Sequence, residues 1–187
     1  MKKSSSSDPG PGIGAFLQTE NPIIRVSDID WQNWQPEQTA TLLFVIVDGE
    51  ILLIRKKRGL GAGKINGPGG RLEAGETPIE CAIRETREEL CITPLGVRPM
   101  GRLHFYASDD IPHILGYVFT ATGFTGQPRE TDEAIPLWTP LSRIPWQEMW
   151  EDDSIWLPEV IAGHTIDAWF TFTGETLLDH KLVITSQ

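Results

Sequence analysis

The chain has 187 residues, 40% of them hydrophobic and 22% charged, enough for one domain with a substantial core plus a tail. Its formal net charge of −10 argues against broad binding to a nucleic-acid backbone or an anionic membrane, both of which need basic patches, and leaves room for a small nucleotide bridged by a metal. The only cysteines, Cys81 and Cys91, stand ten residues apart, which suits free thiols in a reducing, cytoplasmic setting better than a disulfide framework.

From the N-terminus, MKKSSSSDPGPGIG is polar and rich in Pro, Gly and Ser, with no apolar run long enough for a signal peptide or a membrane span. Residues 1–20 are expected to be a disordered tail, 21–40 an extension and 41–185 the folded domain. Within the extension, Trp31 and Trp34 either dock on the domain or mark a partner surface, and the sequence leaves both open. Two apolar strands, 41–47 and 50–56, flank Asp48 and Gly49, a two-residue hairpin turn that fixes their register.

Between Gly59 and Gly75 the many glycines, with Pro68, forbid regular structure and bring backbone N–H groups close to whatever lies before the next element. This stretch lacks the GK[ST] ending of a P-loop and the ordered G-x-G-x-x-G of a dinucleotide fold. A helix then starts at Pro78, with Thr77 as N-cap and Glu80 completing a T-x-x-E capping box. Ile79, Ala82, Ile83, Thr86 and Leu90 recur at spacings of three and four and form its core face. Glu85, Glu88 and Glu89 fall within an arc of about 100° on another side, with Arg84 at its border. A glutamate-rich helix alone reads as a solvated surface; behind a glycine-rich approach it reads as a cation site. Three clustered carboxylates repel one another unless a cation neutralises them, and oxygen-only ligands suit Mg²⁺ or Mn²⁺ rather than Zn²⁺.

Further strands are predicted at 101–107, 114–121 and 135–139, then a terminal hairpin of 167–172 and 176–183 around Gly174. A second helix is predicted over 155–162, capped by Asp153 or Ser154 and closed by Gly163. Together these elements give an α/β fold, a mixed sheet covered by helices on both faces. Asp152 and Asp153 also allow a second reading. Two adjacent carboxyls facing a closed pocket cannot both ionise cheaply, so one donates a hydrogen bond while the other accepts. Such a pair can meet a ligand edge that presents a donor beside an acceptor. Capping and ligand recognition are compatible.

Counted from Gly70, the spacing is G-x5-E-x7-R-E-x-x-E-E, followed by Cys91 and Ile92. This resembles the Nudix hydrolase signature, G-x5-E-x7-R-E-U-x-E-E-x-G-U, where U is aliphatic. Gly70, Glu76, Arg84, Glu85, Glu88, Glu89 and Ile92 match; Thr86 stands at an aliphatic position and Cys91 at the final glycine. Glycine there permits a left-handed helix end, so Cys91 implies a shifted terminus or a strained residue. The resemblance implies an α/β/α sandwich with a mixed sheet. It also implies Mg²⁺, or Mn²⁺, held by Glu85, Glu88, Glu89 and the Gly70 carbonyl, with Arg84 orienting a glutamate and Glu76 supporting the loop.

From about Thr41 to Val183 the chain is also similar to the branch of that family acting on oxidised purine nucleoside triphosphates, on the flanks KKRGLGAGKINGPGG and WQEMWEDDSIWLP. By that resemblance Asn66, Asp152 and Asp153 hydrogen-bond the base, Thr41, Lys56, Phe105, Trp150 and Trp156 belong to the pocket, and Glu133 is a further acidic residue near the metal. Leu60 and Ile65 depart from it, standing where that branch has aromatic residues. The implied activity is hydrolysis of 8-oxo-dGTP and related triphosphates to monophosphate and pyrophosphate, which prevents DNA damage by cleaning the nucleotide pool. The alternatives are hydrolysis of another X-linked nucleoside diphosphate and a catalytically silent nucleotide-binding module. The implied partner is a small-molecule nucleotide, with no nucleic-acid polymer and no membrane.

Overall fold

The protein is seen in a computed structural model that describes residues 24–109 and 111–185; the expected tail at 1–20 lies outside the described residues. Strand β1 (Gln38–Val47) turns into β2 (Glu50–Lys56) at Asp48 and Gly49. Both turn residues have positive φ, 51° and 80°, as a tight turn between right-twisted strands requires, and Val47 pairs with Glu50 as the sequence predicts. The glycine-rich stretch follows, interrupted only by the short β3 (Ile65–Asn66). After it come α1 (Pro78–Leu90), β4 (Ile92–Leu95), β5 (Arg98–Ala107), β6 (Ile114–Ala121), β7 (Gly123–Gly126), β8 (Ala134–Pro140), α2 (Asp153–Ile161), β9 (Thr165–Thr173) and β10 (Thr176–Thr185).

The main sheet runs β10-β9-β5-β6-β1-β2-β3, with β8 on the other edge of β2, while β4 and β7 form a separate pair. It is mixed: β1 lies parallel to β6 and β5 parallel to β9, the other pairs being antiparallel. Its central strands are apolar at nearly every position because both faces are covered. Leu43, Val45, Leu52 and Ile54 pack with Ala82 and Leu90 of α1. Their neighbours Phe44, Ile51 and Leu53 point the other way, onto Trp156, Leu157 and Val160 of α2. Each such fully buried side chain stabilises the fold by about 1.5–3 kcal/mol relative to exposure. The two-sided sandwich is therefore the architecture observed.

Local signals are realised closely in α1. The Thr77 hydroxyl accepts from the Glu80 N–H while the Glu80 carboxylate accepts from the Thr77 N–H. Ile79, expected in the core, is 39% exposed, and Cys81 is buried in its place because it faces Thr41 of β1. Thr86 is buried without a polar penalty, since its hydroxyl donates to the Ala82 carbonyl at 2.7 Å. Strand β1 starts at Gln38, three residues earlier than expected, because Gln38–Ala40 pair with Ile114–Gly116 of β6, a partner remote in sequence. The short β3, β4 and β7 carry too little local pattern to be foreseen. Helix α2 begins at Asp153 rather than Ile155. Among the described residues, no helix is long and apolar enough to cross a membrane.

The α1 helix ends at Leu90 without a shift, and Cys91 takes the strain at φ 60°, ψ 27°, its N–H donating to the Arg87 carbonyl. The left-handed region is costly for a residue with a Cβ and nearly free for glycine. Cys91→Gly is expected to raise stability by about 0.5–1 kcal/mol, read as a rise of a few degrees in Tm on thermal denaturation.

Candidate active site

The approach to α1 is laid against the edge of β1. The N–H groups of Thr41 and Leu43 donate to the carbonyls of Gly70 and Pro68, and that of Leu72 to Thr39. Only glycine allows this proximity at two points. A Cβ on Gly69 would stand 1.9 Å from the Thr41 oxygen, and one on Gly70 would stand 2.3 Å from the Glu85 carboxyl. The turn thus aims backbone at the carboxylates of α1.

Those carboxylates differ sharply in environment. Glu89 is 1% exposed; its Oε2 accepts from the Gly69 N–H at 2.8 Å and its Oε1 lies 3.9 Å from Lys56 Nζ. Burial pushes its carboxyl up to about 7, and the nearby Glu85 and Glu133 push in the same direction. Arg84 is the hub of the others. It grips Glu76 bidentately at 2.8 and 2.9 Å and holds that carboxyl down at about 2. Its Nη1 reaches Glu85 at 2.8 Å and Glu88 at 3.2 Å, the Glu88 side chain being 56% exposed. Glu133 pairs with Arg58.

A cavity of about 800 Å³ joins Gly69, Gly70, Glu85, Glu89 and Glu133 at one end to a second acidic group at the other. There Asp152 and Asp153 are both buried. Asp152 accepts from the Trp156 indole N–H at 2.9 Å, and Asp153 from the Trp150 backbone N–H at 3.0 Å. Burial raises both carboxyls, Asp152 to about 6, and the charge of Asp152 raises Asp153 further. Near neutral pH the pair therefore keeps a proton and presents one donor and one acceptor. Asn66 spends its side-chain oxygen on the Gly67 N–H at 2.8 Å, which leaves its amide hydrogens for a ligand.

The NUDIX domain pattern matches residues 36–160. The chain belongs to the NUDIX domain family. It is 36% identical over 143 residues to the oxidized purine nucleoside triphosphate hydrolase of Danio rerio, and 34% identical over 145 residues to that of Mus musculus. Each match spans 76% of this chain and 92% of the relative. Among solved structures, the MutT protein from Bacillus halodurans superposes with a TM-score of 0.71 at 25% identity, covering 78% of this chain and 97% of that one.

In this Nudix hydrolase, the structure places the residues singled out from sequence as follows. Glu85, Glu89, Glu133 and Gly70 line one end of the cavity, and Lys56 lines it too with its Nζ 3.9 Å from Glu89. Glu88 does not line it, and among the described residues no three acidic groups converge to ligating distance, because Arg84 draws Glu85 and Glu88 toward itself. The donor set still fits a hard divalent cation: it is all oxygen, and its buried member, Glu89, meets a cationic side chain no nearer than Lys56. Phe105 and Trp150 also line the cavity, as do Asp152 and Asp153, Phe105 stacked on Phe170 and Trp150 approached by Lys64 at 4.9 Å from its ring. Trp156 lines the cavity as well, its side chain fully buried and its N–H committed to Asp152, so it steadies that carboxyl. Thr41 turns its hydroxyl toward Cys81 at 3.4 Å, on the α1 side of the sheet.

The Cys81 thiol, outside the signature, packs within 3.7 Å of the Gly70 carbonyl and 3.5 Å of Arg84 Nη2. The cavity walls Tyr106, Pro112 and Gly174 come from strand ends and turns with no motif of their own.

The acidic pair carries a pH signature. The folded chain holds protons on Asp152 and Asp153 above their ordinary value of 3.8, so it binds more protons than the unfolded chain in that window. Stability from this pair is full below about pH 3.8 and is lost as pH rises through the folded values. Asp153→Asn keeps an acceptor for the Trp150 N–H and removes the proton. Its denaturation midpoint is expected to fall less steeply than the parent's between about pH 4 and 7, measured by urea unfolding across that range.

Proposed function

We propose that this Nudix hydrolase cleaves oxidised purine nucleoside triphosphates, 8-oxo-dGTP among them, to the monophosphate and pyrophosphate, with Mg²⁺ as cofactor and Mn²⁺ as a substitute. The observation that carries the reading is the buried, proton-sharing Asp152 and Asp153 at the opposite end of the cavity from Glu85 and Glu89. The names borne by the relatives from Danio rerio and Mus musculus support the same substrate class.

Glu85, Glu88, Glu89 and the Gly70 carbonyl would hold the cation, with Glu133 beside them. Bound there, it would supply positive charge for phosphate oxygens and would acidify water for in-line attack at phosphorus. The chain's own part is placement. Arg84, fixed by its bidentate grip on Glu76, sets where Glu85 and Glu88 point. The Gly69 N–H fixes Glu89, and Lys56 adds positive charge beside it.

At the base end, the protonated member of the Asp pair donates to the purine edge while the ionised member accepts, and Asn66 donates from its amide. An oxidised purine presents an N–H where the ordinary base presents a lone pair, so a site that offers both a donor and an acceptor can follow that change. Phe105 and Trp150 supply aromatic faces, and Leu60, 50% exposed at the cavity rim, is the aliphatic counterpart of a ring in the resembling branch.

Pyrophosphate release from a panel of canonical and oxidised triphosphates, with Mg²⁺ and with a chelator, tests the activity directly. Asp152→Asn should lower kcat/KM for 8-oxo-dGTP by about tenfold or more relative to a pyrimidine triphosphate, the loss of a buried hydrogen-bond match. Equal losses on both substrates would remove the base assignment. Glu89→Gln should cut turnover by about three orders of magnitude or more while shifting stability by no more than about 1 kcal/mol, since its amide oxygen can still accept from Gly69. Retained turnover would show that carboxylate to be dispensable.

A further inference from the structure

The α1 helix covers only part of its face of the sheet. On that same face β5 and β9 present His104, Tyr106, Asp167 and Trp169, and residues 24–37 of the extension lie over them. The segment is anchored at its start, where the Val26 N–H donates to Asp179 at 2.9 Å and the Thr171 hydroxyl to the Ile24 carbonyl at 2.6 Å. Trp31 donates its indole N–H back to the Val26 carbonyl at 2.7 Å and packs on Trp34 with ring centroids 5.4 Å apart. Both rings meet His104 edge-on, and His104 stacks on Trp169 at 5.1 Å while hydrogen-bonding Asp167 at 2.9 Å.

The end of the segment is where it reaches the cavity. The N–H groups of Glu37 and Gln38 donate to the His113 carbonyl at 2.9 and 3.1 Å, and the His113 N–H returns a bond to the Glu37 carboxylate at 3.1 Å. Trp34 closes on the His113 ring at 6.4 Å. His113 in turn stacks on Tyr106 at 4.4 Å and its Nε2 lies 3.2 Å from the Ala107 carbonyl. Tyr106, Ala107, Pro112 and Ile114, the residues around this knot, all line the cavity. The acidic end, built on α1 and the glycine turn, shares none of these contacts.

We propose that Glu37 and Trp34 are positioning residues which, through His113, set the cavity wall formed by Tyr106 and Pro112 and thereby the affinity for the nucleoside part of the substrate. Trp34 precedes the matched NUDIX region, residues 36–160, while Glu37 and His113 lie within it, so the contact joins the preceding segment to the family domain. The inference rests on the proposed triphosphate activity for its substrate, and it predicts an effect on binding that leaves the chemical step alone.

The test uses the full chain with Glu37→Ala, Glu37→Gln and Trp34→Ala, measuring KM and kcat on 8-oxo-dGTP together with the affinity for 8-oxo-dGMP by tryptophan fluorescence. Glu37 is largely exposed, its side chain 62% accessible, so its replacement threatens the fold little. Glu37→Ala and Trp34→Ala should each raise KM and weaken monophosphate binding by about three- to tenfold, with kcat within about twofold of the parent. Glu37→Gln, whose amide oxygen still accepts from the His113 N–H, should bring both constants back to within about twofold. A lowered Tm with KM and monophosphate affinity unchanged would overturn the proposal and leave the segment a purely structural strap. A parent protein that fails to hydrolyse 8-oxo-dGTP would defeat the proposed function instead, and the monophosphate affinities of the variants would still decide the wall.

Discussion

A carboxylate that is almost completely buried, Glu89, imposes most of the order around the site. Taking such a group out of water is costly unless donors or cations replace its hydration, and here the replacements are the Gly69 N–H and the more distant Lys56. For Gly69 to offer its N–H, the chain must run against β1 closely enough to exclude a Cβ, which sets the glycines and the pairing of residues 68–72 with the strand edge. For Glu89 to meet it, α1 must begin and lie where it does, which the capping box at Thr77 and the packing of Ala82 and Leu90 on the sheet secure. Helix, turn and strand thus converge on one hydrogen bond.

The two ends of the cavity hold acidic groups that resist ionisation for a shared reason, burial, and relieve it differently. At the Asp152 and Asp153 end the relief is a retained proton, and Trp156 and the Trp150 backbone supply donors that leave the pair's remaining atoms for a ligand. At the other end the buried group is Glu89 alone, relieved by the Gly69 N–H and Lys56, while its neighbours Glu85, Glu88 and Glu133 pair with the arginines Arg84 and Arg58. A retained proton suits discrimination between donor and acceptor edges; a displaceable ion pair suits a site that accepts a cation with its phosphate. The same chain therefore meets one physical cost in two opposite ways within one cavity.

What the sequence made legible was local. The Asp48 and Gly49 turn, the Thr77 capping box and the apolar runs of β1 and β2 each act within a few residues, and all three are realised in the fold. The glutamate spacing on α1 was equally readable, though which of them would be buried was not, because that depends on how the helix is rolled against β1. The same roll exposes Ile79 and buries Cys81. The early start of β1, the short β3 and β7, and the docking of Trp31 and Trp34 onto His104 depend on partners more than sixty residues away or on pairings too short to leave a pattern.

The departures from the Nudix signature show which of its positions specify chemistry and which specify only shape. Thr86 replaces an aliphatic residue and is accommodated because the helix itself supplies an acceptor for its hydroxyl. Cys91 replaces a glycine and is accommodated because the left-handed turn is kept at the cost of local strain. Neither change alters a donor or acceptor that faces the cavity. At Gly70, by contrast, a single added carbon would collide with the Glu85 carboxyl, and at Glu76 a lost carboxylate would free the arginine that orients its neighbours. The signature thus tolerates substitution where the backbone can absorb it and resists it where a side chain must occupy, or leave empty, one particular volume beside the acids.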